Sequence, residues 1–192
     1  MSHTDKSLGV MMHGWVETFT GVAALTVFAL PLAALLVCLL AYRRGGSTSA
    51  WRTSLAEVGI VYWTVPSVWL TMVPGSHAGS AARRVSLIPL RDLATMPAVQ
   101  IVGNLLIFAA LGFLAPLRFT TLASLPRILA LAATSSILIE LAQYTFPLDR
   151  VSSIDDVLLN TLGAGLAALA SRPWWHTTQP TARPRSTSTP GR

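Results

Sequence analysis

The sequence predicts an all-α fold, a polytopic membrane bundle of about five transmembrane helices. Composition is the first reason: 52% of the 192 residues are hydrophobic and only 11% are charged, with a mean hydropathy of +0.56, whereas soluble domains carry about 25% charged residues. Length is the second: several uncharged runs reach the roughly 20 residues that a helix needs to cross a bilayer. Period is the third: no strand-like alternation marks a barrel, and helices are the other way to satisfy every backbone group in lipid. A soluble protein would have to bury such runs on every face.

Residues 1–20 read as an N-terminal tail, 21–171 as the transmembrane bundle, and 172–192 as a basic Ser/Thr/Pro tail too polar to bury a core and expected to be disordered. The first span, Val22–Tyr42, ends in Arg43-Arg44 without a small-x-small cleavage site, so it is a retained helix rather than a signal peptide. The second, Leu55–Val73, has Glu57 near one end and Pro66 inside. The third, Ala98–Leu117, is uncharged, and the fourth, Ile128–Phe146, carries Glu140 as its sole charge. The fifth, Ile154–Ser171, is short and opens with Asp155-Asp156. Trp15, Trp51, Trp174 and Trp175 fall near span ends, where interfacial aromatics anchor helices.

The formal charge of +6 does not point to nucleic acid, because the basic residues sit at the ends of apolar runs, where they set topology and meet anionic lipid. With the N-terminus outside, the cytoplasmic segments hold Arg43, Arg44, Arg52, Arg118, Arg127, Arg172, Arg183, Arg185 and Arg192. Those nine face five outside: Lys6, Arg83, Arg84, Arg91 and Arg150. The excess inside predicts an N-out, C-in protein of the cytoplasmic membrane. The single cysteine, Cys38, excludes an internal disulfide. His3, His13, His77 and His176 all lie outside the spans, no glycine-rich phosphate loop is present, and Glu140, Asp155 and Asp156 match no metal-binding spacing. Neither a metal nor a cofactor is expected.

Polar residues concentrate in the last two spans. Residues three and four apart share a helix face, so Ser136, Glu140 and Gln143 form one stripe and Asp156, Asn160 and Gly163 another. Only residues 147–153 join the two spans, which makes them antiparallel neighbours whose stripes can meet. Asn104, Glu140 and Asn160 each lie six residues from the expected outer end of their span, about 9 Å deep at 1.5 Å per residue. They are therefore expected at one level, below Asp155, Asp156 and Arg150, as a polar pocket opening outward. Bland readings stand beside this. Ser153-x-x-Asp156 has the form of a capping box, the two asparagines fit interhelical hydrogen-bond glue, and Gly163 with Ala167 fits a small-residue packing face. Glu140 fits none of these, because neither a cap nor a helix dipole explains a carboxyl mid-span. Desolvation would protonate it, Arg150 would pair with it, or it faces water.

Three blocks resemble the VanZ-like family of small bacterial membrane proteins: Asn104 to Pro116, with Ala110 where the family usually has proline; Ser136 to Gln143, as Ser-x-x-(apolar)-Glu-x-x-Gln; and Arg150 to Gly163, as Arg-x-x-Asp-(Ile/Val)-Asp-Asp-x-x-x-Asn-x-x-Gly, with Ser153 where an aspartate is frequent. The motifs cover residues 85–170. The resemblance implies a cell-envelope role, since the founding member is associated with resistance to the glycopeptide teicoplanin. On this reading the chain binds an amphiphilic or lipid-linked envelope substrate, such as a membrane lipid or lipid-linked glycan. Asn104, Ser136, Gln143, Arg150 and Asn160 would contact it. Glu140, Asp155 and Asp156 would act as acid–base groups if a bond is broken. The rival expectation is a non-catalytic accessory protein that docks an envelope enzyme. A small transporter is disfavoured by the lack of an internal repeat.

Overall fold

The long apolar runs fold as helices. A computed structural model describes residues 3–73, 84–146, 148 and 151–178, with side chains described from Thr20 to Trp175 apart from Arg84 and Val151. Helix α1 spans His3–Arg43, α2 Thr48–Thr71, α3 Ala98–Ile107, α4 Ala109–Arg118, α5 Leu125–Thr145 and α6 Ile154–Ser171. At 1.5 Å per residue α1 is about 60 Å long, twice the hydrocarbon thickness of a bilayer; its apolar part is Thr20–Arg43. Gly45 and Gly46 reverse the chain after α1 with φ of +89° and +67°, a conformation that glycine adopts without a Cβ clash. The Ser47 hydroxyl then caps α2 by accepting from the Ala50 N–H at 3.2 Å.

Among the described residues four segments are long and apolar enough to cross a membrane: Thr20–Arg43, Ala98–Arg118, Leu125–Thr145 and Ile154–Trp175. The second expected span, on α2, has the length at 24 residues but not the hydropathy, because Arg52, Glu57 and several Ser and Thr dilute it. The last segment exceeds its expected length, since a 3₁₀ turn over Arg172–Thr178 extends α6. That turn folds Trp175 inward, where it is 7% exposed and its indole N–H donates to the Ser171 hydroxyl at 2.9 Å. Trp175 is thus a core residue rather than the interfacial anchor expected of it, whereas Trp51 and Trp174 remain exposed. Residues 179–192 lie outside the described part of the chain, and so does the side chain of Trp15.

Two features depart from the expectation of uninterrupted helices. The third span breaks at Phe108 into α3 and α4, although Ala110 provides no proline to force the break. A contact from outside the segment meets the interruption: the Trp63 indole N–H of α2 donates to the Leu106 carbonyl, in the last turn of α3, at 2.7 Å. In addition, Arg84–Ser86 (β1) and Val151–Ser153 (β2) pair in parallel, in the register Arg84↔Val151 and Ser86↔Ser153. Strands of three residues are too short to leave a periodic signal.

Helix α6 lies at the centre, packed against α3, α4 and α5, while α1 packs on α2 at the edge. The buried core joins Ile107, Phe108 and Ala115 to Ile128, Ala132 and Ile139 and to Ala164 and Ala168. At one end of the bundle Glu57 accepts from Arg44 at 2.7 Å and from Arg118 at 2.5 Å. There Arg52 also reaches the Trp174 carbonyl. The polar motifs gather at the opposite end.

Candidate functional site

The start of α6 organises the site. Asp155 is 1% exposed, and its carboxylate accepts three backbone N–H groups from the loop before α3: Leu90 at 2.6 Å, Asp92 at 3.0 Å and Leu93 at 3.1 Å. An ionised carboxylate offers about four lone-pair positions, so Asp155 acts as a latch that fastens residues 90–93 to α6. Ser153 caps the helix by accepting from the Asp155 N–H at 3.2 Å. Its hydroxyl also donates to Asp92 Oδ2 at 2.8 Å.

Ser153 and Asp156 do not close a reciprocal capping box. The Ser153 N–H that such a box would assign to Asp156 goes instead to Glu140 Oε2, at 3.0 Å. The neighbouring Ser152 hydroxyl donates to the Glu140 carbonyl at 3.1 Å. Asp156 turns the other way and accepts from Asn104 Nδ2 of α3. The mid-span carboxyl of α5 and the asparagine of α3 therefore converge on the first turn of α6 from opposite sides. Both Glu140 and Asp156 are half-buried.

One turn deeper, Asn160 Nδ2 donates to Ser136 Oγ at 2.7 Å. Ser136 is fully buried and Asn160 is 2% exposed; Asn160 Oδ1 has no partner among the described residues. The polar side chains expected at one level thus occupy two. Glu140, Asp156 and Asn104 form an upper tier, and Ser136 with Asn160 a lower one, about 6 Å below by helix rise. The offset arises because Asn104 meets Asp156 rather than Asn160, one turn nearer the start of α6. Gln143 belongs to neither tier. Its Nε2 donates to the Thr71 carbonyl at 2.8 Å, one of the carbonyls that a helix C-terminus leaves without an internal partner. Arg150 and Arg83 lie outside the described residues, as does the Arg84 side chain. Among the described residues no group of three or more Asp, Glu, His or Cys side chains is arranged to hold a metal ion.

A family model, VanZ/LLP1, matches residues 28–175. The chain belongs to the VanZ/LLP1 family. With its spanning helices, membership identifies a multi-pass membrane protein. A search of the curated proteins and of the solved structures returned no match.

Within this VanZ/LLP1 chain, two glycines explain how α6 comes close enough to build the site. A Cβ on Gly163 would lie 1.9 Å from the Leu105 carbonyl oxygen, and one on Gly112 would lie 2.1 Å from that of Ala164. The backbones of α3 and α4 therefore touch α6 directly on both sides of the break at Phe108, as small residues permit between membrane helices.

Asp92 is the site residue that the sequence did not reveal, lying in the loop ahead of the first block, which begins at Asn104. The Ser86 hydroxyl beside it and the Ser153 hydroxyl that donates to it hold its carboxyl below the usual aspartate range. The sole available signal was a carboxylate a few residues before a span. At position 153 a serine can donate to Asp92, which an ionised aspartate could not.

Proposed function

We propose that the chain is a cell-envelope membrane protein that binds an amphiphilic or lipid-linked substrate, its polar head against the upper tier and its lipid part between helices. The observation that carries this reading is the convergence of Glu140 and Asn104 on the first turn of α6. It places two half-buried carboxyls, Glu140 and Asp156, about the start of one helix inside an apolar bundle. Such groups are expensive at membrane depth and concentrate at functional sites.

The three acidic residues divide into two roles. Asp155 is sealed and occupied by loop N–H groups, which suits it to holding residues 90–93 in place. Glu140 and Asp156 are the groups that a substrate head could reach. If a bond is broken, Glu140 is the acid–base group, because it is the carboxyl that α5 brings from within a span to the first turn of α6. Asn104 orients Asp156, and Arg150 would balance anionic charge on the head. The arginines gathered at the opposite end favour placing the site on the outer face.

A non-catalytic reading also has support. The Ser136–Asn160 and Gln143–Thr71 pairs are the interhelical bonds that an accessory protein would use to fix helix register while docking an envelope enzyme. Lipid composition separates the two readings. A deletion strain and one expressing Glu140→Gln at the parental level should accumulate the same amphiphile, since glutamine keeps the shape and removes the titratable proton. Parental lipid profiles in both strains, with loss of a co-purifying envelope enzyme, would establish the accessory reading instead.

A further inference from the structure

At the same end of the bundle the loop before α3 presents an apolar tip. Leu87 is 72% exposed, Ile88 57% and Leu90 63%. Leu90 is also the one non-glycine residue with positive φ among the described residues, at 64°. In that conformation the Cβ of an L-residue crowds the following carbonyl, and glycine would adopt it at little cost. Two clamps impose it. Asp155 takes the N–H groups of Leu90, Asp92 and Leu93, and the β1–β2 pair anchors the chain at Ser86. A turn that needed only its shape would be served better by glycine. The fold instead holds a leucine side chain outward on a rigid base.

We infer that Leu87, Ile88 and Leu90 form an interfacial anchor that inserts into the acyl region of the bilayer beside the polar site. Its surface continues one that already meets lipid. The loop leads directly into α3, a candidate span whose first turns expose Val99 at 78% and Val102 at 52%. The next residue, Arg91, is exposed and can extend its guanidinium to the head groups while its stem lies along the apolar tip. The occupant is bilayer lipid. The inference rests on the membrane placement of the chain, not on the role of Glu140, so either can fail alone.

The test places a single environment-sensitive fluorophore at Leu87→Cys, or at Leu90→Cys, in a Cys38→Ser background reconstituted in phosphatidylglycerol–phosphatidylethanolamine vesicles. Blue-shifted emission, quenched by lipids brominated near the head group and shielded from aqueous iodide, is the expected result. Iodide quenching without lipid quenching would overturn the anchor, and so would protection from both, which would mean that protein covers the tip. Leu90→Gly provides the second reading. Relief of the backbone should leave thermal stability in detergent unchanged or raised, while the label at Leu87 loses lipid quenching. A drop in stability with quenching intact would show that the leucine packs on protein, and the anchor would be abandoned.

Discussion

Gly163→Ala is expected to break the contact on which the site depends. The added methyl would sit 1.9 Å from the Leu105 oxygen and 2.6 Å and 2.8 Å from its carbonyl and α carbons, all backbone atoms that no rotamer change can remove. Real Cβ atoms essentially never approach closer than 3.0 Å, so α3 and α6 must separate by about 1 Å. Overpacking of this kind costs about 1–3 kcal/mol. The Asn104–Asp156 bond spans the same interface and stretches with it, and an interhelical bond in a membrane is worth roughly 0.6 kcal/mol on average. Set against the roughly 1 kcal/mol by which alanine is favoured over glycine inside any helix, the two together leave a net loss of about 1–3 kcal/mol. Gly103→Ala is the control, because its Cβ meets nothing within 4 Å, and alanine is favoured over glycine inside a helix by about 1 kcal/mol. Thermal unfolding in detergent, followed by size-exclusion recovery, should show Gly163→Ala well below the parent and Gly103→Ala at or above it. Equal stability of the two variants would refute the backbone contact between α3 and α6, and with it the account of how Asn104 reaches Asp156.

Three further outcomes are expected. Asp155→Asn keeps the shape but leaves one acceptor oxygen for three N–H donors, so at least one loop N–H loses its bond at about 1–3 kcal/mol. Limited proteolysis should then cut faster within residues 84–97 than in the parent. The Asp92 carboxyl, held below its ordinary value of 3.8, contributes stability that is complete above that value and is lost as pH falls through its lowered folded value. Loop protection in hydrogen exchange should accordingly be flat from neutral pH down to about 5 and weaken only below the ordinary aspartate range. In Ser153→Ala, which lacks the hydroxyl that donates to Asp92, that weakening should begin at higher pH. Reporter fusions after residue 45 and after residue 120 should report the cytoplasm and a fusion at Asp149 the outside; the reverse at Asp149 would move the polar site to the inner face.

The sequence by itself determined the helical membrane class and the polar stripes of the last two spans, because hydropathy and the helical period are local properties. That the two stripes could face each other was legible, since a short connection makes their helices antiparallel neighbours; that Ser136 would meet Asn160 was not. The same local logic marked Asp155 and Asp156 as important yet could not tell them apart. Adjacent residues on a helix point about 100° apart, so one faces the loop before α3 and the other faces Asn104. Which neighbour each would meet depended on partners 52 to 65 positions away in the chain. The break at Phe108 and the recruitment of Asp92 were decided in the same way. The first is met by an indole on α2 and the second is held by a hydroxyl on β2. Gly163 looked like a packing residue from its spacing alone. That it lets two backbones touch, and so brings Asn104 to Asp156, was decided by tertiary structure, because close approach is a property of two surfaces and only one of them is written at any point in a sequence.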